Sequence, residues 1–484
     1  FTAKKADYEE ELGTTDEDDN KLFKNTDTNG RFHSDWLSMM YERLIVARDL
    51  LKEDGVVFIS IDDNEVHNLR EICDEVFGEE NFVTNVIWEK KFAPQNDEKY
   101  ITASHDHILI YCREKIFWVP KLLPRSESAL KKFKNTDNDP RGVWTSGDLT
   151  SKTKAANHSY PVTSPSGKIH YPPNGRQWAA SLSTFETMLS ENRIWFGENG
   201  DNVPRIKQFL NEIQGGVVPM SIWKHEEVGH NQSATQELKK IFDGISLFDS
   251  PKPSTLLNRA LYLASENNDI ILDFFSGSST TAHAVMQLNA EDNGNRNFIM
   301  VQLPETTDEK SEAYKAGYKT IAEIGKERIR RAGKKIVEDN QEKAGIDKLD
   351  IGFRVYKTDS SNMKEVHYHP EQLQQDDLFS LESNIKKGRE PDDLLTQVIL
   401  DLGLELNLPI EQKEMHGNKV FIVQTNALVA CFDDNINVKI IDEIAQLKPF
   451  KVVFKDASFA ASKDRINLEE RFKRLSPETL ITVI

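Results

Sequence analysis

The sequence of 484 residues contains only three cysteines, Cys73, Cys112 and Cys431, and they lie far apart in the chain. They are too few and too scattered for a disulfide framework or a zinc site, which indicates a reducing compartment and predicts no metal centre. No apolar run approaches the roughly 18 residues that a membrane-spanning helix needs, and nothing at the start resembles a signal peptide. These absences predict a cytoplasmic protein.

An excess of basic residues is also absent from the chain as a whole. Its net charge of -18 argues against nucleic-acid binding, but the distribution of charge says more than the total. Between residues 121 and 180 cations outnumber acids, and aromatic residues such as Trp144 and Trp178 lie among them. This local basic region is suited to DNA, since phosphate contacts supply affinity and base contacts supply sequence choice. A solvated insertion rich in loops is the alternative.

Apolar periodicity predicts helices and strands in alternation on both sides of this insertion. Upstream, Ser34 is expected to cap one helix and Asn64 another, and the predicted strands are Val56–Ile61, Phe82–Trp88 and His107–Cys112. Downstream we expect helix Thr255–Glu266, strand Ile270–Phe275, helix Thr280–Leu288 and strand Phe298–Leu303. The pattern predicts an α/β, doubly wound fold with one parallel sheet covered on both faces.

Shifts in composition divide the chain into four parts. Residues 1–120 and 246–350 are expected to form the two parts of the α/β domain, with residues 121–245 inserted between them. Residues 351–484 are predicted to form an α+β C-terminal domain, with helix Pro391–Leu402 and strands Val420–Gln424 and Lys451–Phe454. The chain starts at Phe1 with an acidic stretch that shows no obvious element, so we expect it to be a fragment.

The stretch Asp273–Thr281 joins an apolar strand, a turn of small residues and the start of a helix. Such a junction brings backbone N–H groups to a polar ligand such as a nucleotide-like cofactor, although a tight turn without a ligand has the same pattern. After the next strand, Glu305 occupies the position where an acid usually holds a ribose hydroxyl, and Gln302 competes for that role.

This turn and the preceding Asp249-Ser250-Pro251-Lys252-Pro253 resemble the cofactor motifs of the amino-group DNA methyltransferases. Four further stretches resemble the modification (Mod) subunit of type III restriction-modification systems, and the resemblance covers nearly the whole chain. They are residues 30–40 (GRFHSDWLSMM), 56–65 (VVFISIDDNE), 88–91 (WEKK) and 454–460 (FKDASFA), the last followed by Ile466-Asn467-Leu468-Glu469-Glu470.

The resemblance implies a permuted, Rossmann-like methyltransferase domain with an inserted target-recognition domain. It implies transfer of a methyl group from S-adenosylmethionine to the N6 amine of adenine in double-stranded DNA, a homodimer, and an ATP-dependent restriction (Res) subunit as partner. The cofactor-binding residues that it predicts are Lys252, Pro253, Asp273, Phe274, Ser276, Gly277, Ser278, Gln302 and Glu305. In the basic insertion, the predicted DNA-binding residues are Lys131, Lys132, Lys134, Arg141 and Arg176.

The catalytic Asp-Pro-Pro-Tyr turn of the family does not occur in this sequence. The nearest strings, Tyr171-Pro172-Pro173-Asn174 and Asp139-Pro140-Arg141, lie in the insertion and not after a strand of the sheet. We therefore assign no catalytic residue and expect the motif upstream of Phe1. A DNA-recognition subunit without catalysis is the alternative. A dehydrogenase is disfavoured, because the turn lacks Gly-x-Gly-x-x-Gly.

Two further expectations concern single residues. Ser279 stands where the family more often has glycine, and we expect this change to be harmless because serine can cap the following helix. If the position needs a positive φ angle, serine instead costs ~1 kcal/mol. The histidines of the insertion show no metal-ligand spacing and are expected to be surface or structural residues: His158, His170, His225 and His230.

Overall fold

A computed structural model describes residues 32–94, 99–153, 155–213, 215–364, 384–437, 439–459 and 462–484. The chain divides into two compact units, residues 1–353 and 354–484. The acidic start, residues 1–29, lies outside the described residues. The division of the chain into four parts stays a prediction.

Helices and strands alternate through much of the chain. The strands are β1 (Val56–Ile61), β2 (Phe82–Glu89), β3 (His105–Cys112), β4 (Trp144–Asp148), β5 (Thr150–Ser151), β6 (Val162–Thr163), β7 (Ile169–His170), β8 (Gln177–Trp178), β9 (Ile194–Trp195), β10 (Arg205–Phe209), β11 (Ile222–Trp223), β12 (Ile270–Asp273), β13 (Asn297–Met300), β14 (Ile410–Met415), β15 (Asn418–Val423), β16 (Leu428–Cys431), β17 (Lys451–Phe454) and β18 (Leu480–Val483). The helices are α1 (Phe32–Leu50), α2 (Val66–Phe77), α3 (Glu127–Leu130), α4 (Leu182–Ser190), α5 (His225–Val228), α6 (Asn231–Ile241), α7 (Ser254–Ala264), α8 (Thr280–Asp292), α9 (Glu312–Lys315), α10 (Ile321–Asp339), α11 (Pro391–Asp401), α12 (Lys439–Gln446) and α13 (Ser462–Leu475). The α/β class is confirmed.

The first sheet has the order β1-β3-β2-β11 and is not the parallel sheet that the sequence predicted. β3 lies between β1 and β2 and is antiparallel to both, and only β11 adds to β2 in parallel. Helices α1 and α2 cover one face, where Leu109 packs, and α7 covers the other, where Ile108 packs. Burial on both faces makes the strands continuously apolar whatever their direction, so composition could not reveal their orientation.

Strands β12 and β13 are parallel and form a separate two-stranded sheet among the described residues. The single interrupted sheet that the sequence predicted is therefore not seen in this part of the chain. Phe298 and Met300 of β13 pack against α8 and α10, in a cluster that includes Met286 and Ile329. This packing holds the end of β12 and the start of α8 side by side.

The two predicted helix caps upstream are wrong. Helix α1 begins at Phe32, so Ser34 lies inside its first turn. Helix α2 begins at Val66 and has no capping bond from a side chain at its N-terminus. Asn64 instead donates its backbone N–H and its side-chain amide to Asp62, 3.1 and 2.9 Å away. Asp62 therefore closes the turn before α2, because a short carboxylate reaches the backbone two residues on.

The insertion contains short strands around a small core. β4, β10 and β9 form an antiparallel sheet, while β5 pairs with β8 and β6 with β7. Trp178 and Phe185 are buried in the core of this region. The aromatic residues that suggested a binding surface are thus in part the core of a folded unit.

In the second unit, strands β14 to β18 form one sheet in chain order. The first three strands are antiparallel and the last three are parallel. Helices α12 and α13 cover one face, and α11 covers the other, with Pro391 in its first turn as expected. The α+β character predicted for residues 351–484 agrees with this sheet.

Candidate functional site

Asp273, the last residue of β12, organises the turn that leads into α8. Its carboxylate accepts hydrogen bonds from the Phe275 N–H, at 3.1 Å, and from the Thr281 hydroxyl, at 2.5 Å. Burial raises the pKa of this carboxyl, and the two hydrogen bonds only partly oppose that shift. A half-buried carboxylate that is only partly compensated is costly to folding, which is common in residues that serve a ligand.

The turn has a left-handed backbone at Gly277 and at Ser279, with φ angles of 51° and 58°. The expectation that Ser279 is harmless is therefore wrong, and its side chain makes no capping bond to α8. A non-glycine residue in this conformation costs about 1 kcal/mol. The strain stays because the turn is held from outside, by a hydrogen bond of 2.7 Å from the Gly277 N–H to Gln302 Oε1.

The remaining predicted turn residues lie around this backbone. The Ser276 hydroxyl is buried and has no hydrogen-bond partner among the described residues, whereas the Ser278 hydroxyl accepts a bond from Arg328. Phe274 and Phe275 contact each other at 5.1 Å between ring centroids. Glu305 accepts the Ile321 N–H with its backbone carbonyl, 2.9 Å away, which places it at the start of α10.

Lys252 is held by a buried carboxylate that the sequence did not point to. Asp106 of β3 accepts hydrogen bonds from Lys252 Nζ at 2.8 Å and from Lys90 Nζ at 2.6 Å. Lys252 also lies over the ring of Trp88, 4.7 Å from its centroid. Asp106 thus joins the segment before α7 to the motif at the end of β2. Its only sequence signal is a charged residue directly before the predicted apolar strand His107–Cys112.

Beside this cluster lies an aromatic stack of Phe92, His225 and His230. Phe92 is 5.0 Å from each imidazole, with interplanar angles of 20° and 17°, and its side chain is exposed. Glu89 accepts the backbone N–H of His225 at 3.1 Å and pairs with its ring at 2.6 Å. His230 Nδ1 accepts the Ser233 N–H at 2.9 Å and so caps α6.

The expectation that these two histidines are structural is consistent with those bonds, yet their half-buried rings also stack with the exposed ring of Phe92. Phe92 escaped notice in the sequence because nothing distinguishes it from a core phenylalanine. Its place directly after the Trp88–Lys91 motif is the signal that could have identified it.

The predicted DNA-binding residues fall into two groups. Lys131, Lys132 and Lys134 are exposed. Arg141 forms two hydrogen bonds with Asp139, at 2.8 and 2.7 Å, and lies over the Phe209 ring, while Arg176 pairs with Asp148 at 2.8 Å. The lysines are therefore better placed than the arginines to meet a phosphate backbone.

The polar groups of the turn suit a nucleotide-like cofactor. The turn has Gly277 in a left-handed conformation, a carboxylate at the strand end and a buried hydroxyl on Ser276 that has no partner in the described part of the chain. No group of three or more histidine, cysteine or acidic side chains in the described ranges could hold a metal ion. Within the same ranges no helix is long and apolar enough to cross a bilayer.

Comparisons with known proteins agree with this geometry. A family model described as DNA methylase matches residues 11–305, more than half of the chain. The chain is similar to the Type III restriction-modification enzyme StyLTI Mod subunit of Salmonella typhimurium, with 37% identity over 329 residues. That match covers 67% of this chain and 48% of the relative, so it spans about half of the relative's length.

Two further relatives match over almost the whole chain. The EcoP15I Mod subunit of Escherichia coli is 30% identical over 516 aligned residues, covering 96% of this chain and 75% of the relative. The EcoPI Mod subunit of Escherichia phage P1 is 30% identical over 495 aligned residues, covering 94% and 73%. These matches confirm the resemblance on which the expected enzyme class and cofactor depend. The chain therefore belongs to the DNA methylase family of S-adenosylmethionine-dependent DNA methyltransferases.

Proposed function

We propose that this chain is part of a type III modification subunit that binds S-adenosylmethionine and double-stranded DNA and methylates adenine at N6. The observation that carries the proposal is the Asp273–Thr281 turn, with its left-handed residues held by Gln302. Membership of the DNA methylase family supports the reaction class. The names of the relatives support a Mod role in a type III restriction-modification system. The homodimer and the ATP-dependent Res partner belong to the proposal as implications of the family resemblance.

In this proposal the backbone of Ser276, Gly277 and Ser278 and the carboxylate of Asp273 hold the cofactor, with Phe274, Gln302 and Glu305 beside them. Lys252 and Pro253 border the same site from the start of α7. When bound, S-adenosylmethionine supplies an electrophilic methyl group to an exocyclic amine of the DNA. The exposed lysines of the insertion, Lys131, Lys132 and Lys134, neutralise phosphates.

The absence of Asp-Pro-Pro-Tyr favours a second candidate for the 484-residue chain, a DNA-recognition subunit that binds cofactor without transferring the methyl group. We expect this chain to bind S-adenosylhomocysteine in isothermal titration calorimetry and to show no binding of NAD. With radiolabelled S-adenosylmethionine and a plasmid of mixed sequence, we expect no methyl transfer. Transfer by this chain would reject the second candidate, and absence of cofactor binding would reject both.

We further propose that the aromatic stack of Phe92, His225 and His230 receives an unstacked DNA base. Stacking of a base on an aromatic side chain contributes about 1–3 kcal/mol. Phe92→Ala is therefore expected to weaken binding of a fluorescent single-stranded 12-mer of mixed sequence by roughly tenfold, measured by anisotropy. A smaller effect is expected on a duplex of the same sequence, whose bases remain stacked.

Phe117 offers a matched control, because its side chain is 58% exposed against 56% for Phe92 and lies at the other end of β3. Phe117→Ala is expected to leave both affinities unchanged. An equal loss of affinity in the two variants, or no loss in either, would contradict a role for Phe92 in DNA binding.

A further inference from the structure

Helix α10 contacts the cofactor turn through its own backbone. A Cβ atom built on Gly325 would lie 2.5 Å from Ser279 Oγ and 3.4 Å from the Gly277 carbonyl oxygen. A Cβ atom at the first of these distances would require the Ser279 side chain or the helix to shift, so glycine allows the helix to lie directly beneath the strained part of the turn. The position of α10 and the shape of the turn are consequently linked.

Arg328 lies on the same face of α10, and its side chain is 0% exposed. It stands among other basic residues of this helix, such as Lys326 and Arg330. Its Nη1 donates hydrogen bonds to Ser278 Oγ at 3.0 Å and to Thr280 Oγ1 at 2.6 Å. One guanidinium thus holds two hydroxyls of the turn from beneath. Burial lowers the pKa of Arg328 to about 10, so it stays charged at neutral pH.

The other side of this guanidinium faces Glu237 of α6, with 3.7 Å between Arg328 Nη2 and Glu237 Oε2. The same carboxylate accepts the Ser254 N–H at 3.1 Å and also the Ser254 hydroxyl. Ser254 directly follows Lys252 and Pro253. An ion pair between buried Arg328 and partly exposed Glu237 therefore connects the two segments that the proposed function assigns to the cofactor.

His283 of α8 also belongs to this cluster and does not change the net charge of the Arg328–Glu237 pair. Its Nδ1 lies 3.5 Å from Arg328 Nη2 and 3.8 Å from Glu237 Oε1. Burial and the neighbouring arginine lower the pKa of His283 to about 4, so the ring is neutral near pH 7. Of the charged groups that face this histidine, Arg328 and Glu237 then compensate each other. Such a pair fixes geometry, because the buried guanidinium of Arg328 would lose this counter-charge if Glu237 moved away.

We infer that Arg328 and Glu237 are positioning residues that fix the Asp273–Thr281 turn relative to Lys252–Ser254 and thereby set the affinity for S-adenosylmethionine. The inference rests on the proposed function, since it needs both segments to contact the same ligand. Both side chains act through the serines and threonine that they bind. A site held in this way loses affinity when its supporting bonds are removed, even if its own ligand contacts remain.

The test measures the dissociation constant of S-adenosylhomocysteine by calorimetry, at a temperature where each variant is folded by circular dichroism. Arg328→Lys keeps the charge but cannot reach two hydroxyls and a carboxylate together, and we expect its dissociation constant to rise about tenfold. Glu237→Gln is expected to have a similar effect. Ser254→Ala removes one hydroxyl and no charge, and we expect a rise of about threefold.

Lys335→Met is the control, because Lys335 lies on α10 with an exposed side chain and pairs with Asp339 in the same helix. It is expected to bind as the parent chain does. Folded Arg328→Lys and Glu237→Gln variants that bind within twofold of the parent chain would overturn the inference and leave the proposed function intact. If the parent chain itself does not bind, the proposed function fails and the inference fails with it.

Discussion

Asp106→Ala is expected to lower the free energy of unfolding of the first unit by about 3 kcal/mol, because it leaves two lysines without their shared partner. Asp106 is buried, and the Nζ atoms of Lys90 and Lys252 lie 2.6 and 2.8 Å from its two oxygens. Removing one member of a buried ion pair typically costs about 3–5 kcal/mol. The lower figure applies here, since Lys252 keeps partial contact with solvent.

Urea denaturation followed by far-UV circular dichroism measures this loss. Asp49→Ala is the matched control, because Asp49 also meets two cations, Arg48 and Arg113, but at the surface. Exposed ion pairs contribute little to stability because solvent screens them, so a small change is expected there. Equal destabilisation by the two variants would show that Asp106 has no special role.

The effect of Asp106→Ala should also depend on pH. Burial alone would raise the pKa of Asp106, but Lys252 and Lys90 more than offset it, and the pKa lies below its usual value. A carboxyl with a lowered pKa stabilises the fold above the unfolded pKa and loses that contribution as pH falls through the folded value. The two stability curves are therefore expected to converge below about pH 4. Parallel curves down to pH 2 would contradict this assignment.

Asp273→Asn is expected to weaken binding of S-adenosylhomocysteine by roughly 10- to 100-fold, the range for a hydrogen bond to a charged group. Asparagine is nearly isosteric and can still meet Phe275 and Thr281, so the turn is expected to survive. The negative charge is lost, and with it the strongest acceptor at the end of β12. Calorimetric titration of the folded variant measures the change.

The same substitution is expected to raise the melting temperature of the free protein. The raised pKa of Asp273 means that the folded state binds a proton more tightly than the unfolded state does. Stability then falls as pH rises through the interval from the unfolded to the folded pKa, and a neutral side chain avoids that loss. Asp269→Asn, at the other end of the same segment, is the control.

Asp269 pairs with Lys52 at 2.7 Å, and this pair helps to keep its pKa below the usual value although burial alone would raise it. Its substitution should therefore destabilise the protein slightly and leave cofactor affinity unchanged. Lower stability of Asp273→Asn, or unchanged affinity, would contradict the role given to Asp273.

The sequence alone located the strands and the turn well. Lys451–Phe454 is β17 with the predicted bounds, the predicted Ile270–Phe275 contains β12, and the predicted Phe298–Leu303 overlaps all of β13 except its first residue. Local patterns decide such features, because alternation of apolar runs with small-residue turns reflects contacts between residues that are close in the chain. The family resemblance added the cofactor class, which the turn by itself left open.

Contacts between distant residues decided the rest. The antiparallel order of β1, β3 and β2 depends on which strands pair across the fold. The charge of Asp106 in β3 is balanced in part by Lys252, which lies 146 positions later in the chain. The left-handed backbone at Ser279 persists because Gln302 and α10 hold the turn from outside. The sequence determined where the turn lies, and tertiary packing determined its strained shape. A strained backbone persists only where contacts from the surrounding structure hold it in place.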